Sequence, residues 1–198
     1  METVVPQAFA SFFVGSMAAS AALVGLLFVA VSIRPERITA RGAPPEPQAV
    51  ASSAFTALAN AFFISLGGSV PGLNIGSVAL WASLASLAQT LNLGRKLWRG
   101  RPGPLRMIRR QALVLLSVAI YGLQLRYALQ LMGTPRQVGA LYGLVYLLFP
   151  VYAIGLGRSW ELLGARREGP LAWLSPLHDV EEAAPSATEA GSTQPAAN

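Results

Sequence analysis

Residues 49–93 read AVASSAFTALANAFFISLGGSVPGLNIGSVALWASLASLAQTLNL, 45 residues without a formal charge. A single helix of that length would extend roughly 68 Å, about twice the roughly 30 Å of a bilayer's hydrocarbon core. The segment therefore has to fold back on itself. Gly67, Gly68, Pro71, Gly72 and Asn74, all turn formers, mark the place. Two membrane-crossing helices joined by a short turn are predicted, at 49–69 and 74–96.

The pattern repeats on both sides. Upstream, the apolar run 8–33 is 26 residues long, and about 20 suffice to cross a bilayer. Only Glu2 carries a side-chain charge before it, whereas Arg34, Arg37 and Arg41 follow it. A signal peptide has the opposite polarity, so this run reads as a retained span. Downstream, Pro104 suits the first turn of a helix, with a span at 109–132. Thr134, Pro135 and Gln137 then form the start signature of a last helix, spanning 136–158. The turn Gly68-Ser69-Val70-Pro71 before Ile75-Gly76 resembles Gly133-Thr134-Pro135 before Val138-Gly139. Either a duplicated hairpin or a shared need for the same start signals accounts for that echo.

The expected fold is all-α: an integral membrane bundle of five transmembrane helices within residues 1–168. Residues 169–198 are predicted to be an interfacial segment followed by a disordered acidic tail. Composition points the same way. Of 198 residues, 53% are apolar and only 12% charged, about half the charge of ordinary soluble domains. No Asp or Glu lies between Gln48 and Trp160, and a surface facing water needs both signs of charge.

Basic residues set the expected orientation. Segment 34–48 carries three, segment 94–110 carries seven and the stretch after 157 carries three, against one, Arg136, in the two opposite turns. The positive-inside rule then puts the N-terminus outside and the C-terminus in the cytoplasm of a bacterial inner membrane. Arg95, Lys96, Arg99, Arg101, Arg106, Arg109 and Arg110 have no acid among them, and such a cluster beside a membrane helix attracts anionic headgroups. The high pI has this partner rather than nucleic acid, because the bases sit at the ends of apolar runs.

Chemistry is scarce inside the spans. None contains Asp, Glu, His or Cys, and the one Lys, Lys96, stands at the very end of a span; these are the side chains that most often supply acid–base catalysis, proton relays or metal ligands. No catalytic residue, metal site or cofactor is expected. His178 stands near Asp179, Glu181 and Glu182, but in a tail with little to bury.

Two polar features remain. Arg126 is the only charge away from the ends of a span. One reading has it facing lipid and reaching up to the headgroups. The other turns it inward with Gln130 one turn away, towards Trp81 and Tyr142 at similar depth, as a structural group or an anion site. On the second helix Ser53, Thr56 and Asn60 share a face, as do Ser83, Ser86 and Thr90 on the third, with Asn60 expected near the level of Ser83. This pairing reads as helix–helix glue or as a polar path. Asn60, Ser83, Arg126, Gln130 and Tyr142 are thus the candidate intramembrane site. Small residues dominate the first span, including Gly15, Ser16, Ala18, Ala19, Ser20, Ala22 and Gly25, and Gly139 and Gly143 repeat the four-residue spacing. Such stripes let helices approach closely, within the bundle or between copies.

The run from Phe12 to Ser32 (FFVGSMAASAALVGLLFVAVS) resembles the first span of small, largely uncharacterised multi-pass membrane proteins of actinobacteria and other bacteria. Some of these are labelled modulators of a membrane-bound AAA+ protease. The resemblance implies a multi-pass inner-membrane protein and brings no functional residues with it. The expected function is that of a non-enzymatic membrane protein acting through helix–helix or lipid contacts, as a homo-oligomer or with another membrane protein. The alternative is a small-solute or anion channel or carrier with a polar intramembrane path.

Overall fold

The computed structural model describes residues 6–33, 45–99, 104–134 and 137–162, with the side chains at 45, 46, 96–99 and 104–110 excluded. Five helices make up those residues: α1 (Gln7–Ile33), α2 (Pro45–Ser69), α3 (Ile75–Arg99), α4 (Pro104–Gly133) and α5 (Val138–Leu162). No strand occurs among the described residues. α1, α2, α4 and α5 are long and apolar enough to cross a membrane. α3 is long enough but less apolar, because Ser77, Ser83, Ser86, Gln89, Thr90 and Asn92 interrupt it.

The helices follow the expected spans, several running a few residues beyond them: α3 ends at Arg99 rather than 96, α4 starts at Pro104 rather than 109 and α5 ends at Leu162 rather than 158. α2 starts at Pro45 rather than 49, since prolines in a first helical turn forfeit no intrahelical hydrogen bond. α5 starts at Val138 rather than 136, and the Gln137 carbonyl accepts from the Ala140 and Leu141 N–H groups. Thr134 caps less than its position suggests. Its hydroxyl donates back to the Gln130 carbonyl at 3.2 Å and approaches Gln137 Oε1 at 3.4 Å. The segment 169–198, with His178, lies outside the described residues.

The α2–α3 turn forms where the uncharged run had to break. Leu73 N–H reaches the Val70 carbonyl at 3.4 Å, and Gly72 between them has φ 76°. Proline followed by a positive-φ glycine is the signature of a type II turn. Asn74 then starts α3, its Oδ1 accepting from the Gly76 N–H at 2.9 Å.

Packing makes a ring with an addition. α2, α3, α4 and α5 each contact their chain neighbour, and α5 closes on α2. α1 lies outside that ring, against α2 and, more lightly, α5. The contacts also give direction. Phe13 meets Gly68 while Phe28 meets Phe55, so α1 and α2 are antiparallel. Gly76 approaches Leu131 and Met132 while Gly94 approaches Val114, which makes α3 and α4 antiparallel. Phe13, Ile64, Ile75, Tyr121, Leu144 and Leu148 belong to the main core. Large apolar side chains also cover the outside: Phe28, Phe63, Trp81, Leu115, Tyr146 and Phe149 are all exposed. Water would penalise that surface and hydrocarbon would not.

Candidate functional site

The five sequence-predicted site residues divide between two places. Asn60 and Ser83 are buried within the bundle, while Arg126 and Tyr142 are exposed on its outside and Gln130 is half-buried. Helical phase explains the split on α4. Ile120, Gln124, Ala128 and Leu131 form its buried stripe, and Arg126 is two residues out of phase with it, on the far side of the helix. Arg126 makes no hydrogen bond or ion pair to any described residue. Trp81, its expected stacking partner, is 69% exposed. Tyr142 instead packs edge-on against Phe9 of α1 at 4.9 Å and stacks on Tyr146. The inward arrangement of Arg126, Trp81 and Tyr142 is not the one the structure adopts.

Among the seven bases of 94–110, Arg95 has a described side chain, and it is exposed. Lys96, Arg99, Arg101, Arg106, Arg109 and Arg110 fall outside the described side chains. Arg158, also on the expected cytoplasmic side, pairs with Glu161 one turn on at 3.1 Å.

The buried polar groups make two separate assemblies. The first sits among α2, α3 and α4. Asn60 Nδ2 donates to Ser86 Oγ at 3.1 Å, and Ser86 Oγ donates to the Ala82 carbonyl. The partner is thus one turn further along α3 than Ser83. Asn60 Oδ1, Ser83 Oγ and both amide atoms of Gln124 are buried without a hydrogen-bond partner. Gln124 is fully buried. The register set by Gly76 against Leu131–Met132 and Gly94 against Val114 puts Ser83 level with Gln124. Further along the α2–α3 seam, Gln89 Nε2 donates to Ser52 Oγ at 2.9 Å. In the other direction the polar groups give way to buried Ile64, Ile75, Ala79, Ala128 and Leu131.

The second assembly ties α1 to the ring. Ser16 Oγ lies 2.7 Å from both Ser65 Oγ and the Tyr152 hydroxyl. That hydroxyl donates to the Ser16 carbonyl and also touches Ser20 Oγ. Three helices, α1, α2 and α5, meet through four side-chain hydroxyls.

Gln124, Ser65 and Tyr152 carry much of this and were not singled out by sequence reasoning. Gln124 had a visible signal: it is a polar residue within an apolar span, in phase with Tyr121, Ala128 and Leu131. Ser65 and Tyr152 had none, because a hydroxyl in a span is common whichever way it faces.

The small residues of α1 also divide. Ser16 and Ser20 face the bundle, whereas Gly15, Ala18, Ala22 and Gly25 are exposed along one stripe. A methyl group added at Gly15 or Gly25 would meet nothing within 4 Å. By contrast Gly68 and Gly143 are filled by the rings of Phe13 and Tyr127. No group of three or more metal-binding side chains occurs among the described residues. Comparison of the chain with family models, curated proteins and solved structures returns no match.

Proposed function

We propose that this is a non-enzymatic integral membrane protein of a bacterial inner membrane that associates with a second copy of itself through the outer face of α1. One observation carries the reading. The Gly15–Ala18–Ala22–Gly25 stripe points away from the bundle with open space beside both glycines. Within lipid, helices associate mainly by close van der Waals packing, and small residues permit it. Gly143 of α5, by contrast, already lies under the Tyr127 ring.

Five spans complete this reading, α3 among them, with the N-terminus outside and the basic cluster 94–110 against anionic headgroups of the cytoplasmic leaflet. Exposed Arg95 and the thirteen-to-one distribution of bases support it.

The chain has no cysteine, which makes the test direct. Ala18→Cys and Ala22→Cys on α1, and Leu129→Cys on the exposed side of α4, are oxidised in membranes. Crosslinked dimer from the two α1 variants and none from α4 is expected, with loss of association in Gly15→Leu. Equal crosslinking from both helices, or a monomer throughout, would remove the proposal. Trapping of a different membrane protein would replace the second copy by that partner.

A solute path is the second reading, favoured by buried Asn60, Ser83 and Gln124. It receives no support from outward-facing Arg126, and the apolar layer of Ile64, Ile75 and Leu131 bars it at one end. Solute flux into liposomes holding the purified protein is its test.

A further inference from the structure

The four orphan polar atoms of the first assembly ask for an occupant. Asn60 Oδ1, Ser83 Oγ, Gln124 Oε1 and Gln124 Nε2 are each buried and each without a partner. Asn60 is 2% exposed, and Ser83 and Gln124 are fully buried. Unpaired amides and hydroxyls in an apolar interior are unfavourable, and buried polar groups are nearly always satisfied by protein or by ordered water. None of the four is within hydrogen-bonding geometry of another, although Ser83 and Gln124 share a level. Asn60 is tied to that level through Ser86, one turn from Ser83.

We propose that the α2–α3–α4 interior is a water-binding site in which Gln124, Ser83 and Asn60 are bridged by at least one long-lived water molecule. The chemistry of the donors selects this ligand. One amide donor, two amide acceptors and one hydroxyl that does either match a molecule with two protons and two lone pairs. A buried water makes about three hydrogen bonds, and these atoms provide for that. An ion is not suited, because Arg126, the only charge between Gln111 and Gly133, faces outward and no carboxylate occurs between Gln48 and Trp160. The site is independent of the α1 stripe, being reached through different helices.

The test uses the full chain in lipid nanodiscs with 15N-labelled glutamine side chains. Gln124 amide protons are assigned by their disappearance in Gln124→Met. Cross-relaxation from those protons to water is expected, at a strength requiring a bound lifetime longer than that of surface hydration. Contacts only to Asn60 or Ser83 protons would mean that the side chains satisfy one another directly, and would overturn the proposal. Melting temperatures give a second measurement. If one water joins the groups, Ser83→Ala should lower the melting temperature of Gln124→Met by no more than about half as much as that of the parent. Fully additive shifts would equally overturn the shared water. Should Gln124→Met fail to fold, Ser83→Ala and Asn60→Leu form the same cycle.

Discussion

The Tyr152 hydroxyl of α5 donates to the main-chain carbonyl of Ser16 in α1, across a sequence separation of 136 residues. A hydroxyl has one proton. With that proton given to the carbonyl, the Tyr152 oxygen is left to accept from Ser16 Oγ or Ser20 Oγ. α1 lies outside the helical ring, and this contact is one of its attachments. Tyr152→Phe keeps the ring and removes the bond. Interhelical hydrogen bonds in membranes contribute about 0.6 kcal/mol on average and up to about 1.7. A fall in melting temperature of roughly 2–6 °C is expected. Ser20→Ala should then lower stability less in the Tyr152→Phe background than alone, because part of what the Ser20 hydroxyl contributes is its contact with the Tyr152 hydroxyl.

Glycines at different places should respond in opposite ways to one added methyl. At Gly76 a Cβ would stand 2.9 Å from the Met132 backbone nitrogen and 3.0 Å from the Leu131 carbonyl carbon. Backbone cannot swing aside as a side chain does, so α3 and α4 would have to separate. Overpacking of this kind destabilises by about 1–3 kcal/mol. Gly76→Ala is expected to show that loss in thermal or denaturant unfolding. Gly122→Ala, with nothing within 4 Å, should be neutral or slightly stabilising, by less than about 1 kcal/mol, through helix propensity. Equal effects at both positions would contradict the packing described for α3 and α4.

Arg126 is expected to be dispensable to the bundle. It is exposed on α4 without a described hydrogen bond or salt bridge. Arg126→Leu should change unfolding stability by no more than about 0.5 kcal/mol. It should also ease membrane insertion of α4, since an Arg near the middle of a span opposes insertion by up to about 3.5 kcal/mol. Gln124→Leu, two residues away but buried, should alter the interior instead. A larger stability loss from Arg126→Leu than from Gln124→Leu would reverse the assignment of faces on α4.

How far the sequence carried depends on what each feature rests on. The α2–α3 reversal was legible because hydrocarbon thickness limits helix length and Gly72 is required for positive φ. Arg126 was not placed, because depth along a helix is readable by counting but rotation requires the neighbours. Gln124 shows the complement: its phase with Ala128 and Leu131 was available, yet Arg126 drew attention through its charge. The two resembling turns also part company in three dimensions. Gly76 is pressed onto the α4 backbone, whereas Gly139 meets nothing. Similar start signals there serve different packing.

The last expectation concerns α3, which falls short of the apolarity of the other four helices. Its buried polar residues, Ser83 and Ser86, face the bundle, and that burial makes a less apolar helix tolerable in a membrane. Residues 75–99 placed alone in an insertion reporter should therefore insert poorly, and residues 45–99 should insert as a hairpin. The Asn60–Ser86 bond and the close fit of Gly67 to Val78 are then available. Topology can be read with single cysteines, since the chain has none. Val70→Cys in the α2–α3 turn should react with a membrane-impermeant thiol reagent from outside intact cells. Gly103→Cys in the basic segment 94–110 should react only after the membrane is opened. Labelling of both from the same side would mean that α3 does not cross. The basic segment 94–110 and the α2–α3 turn would then share a face, and the charge count would lose its simplest explanation.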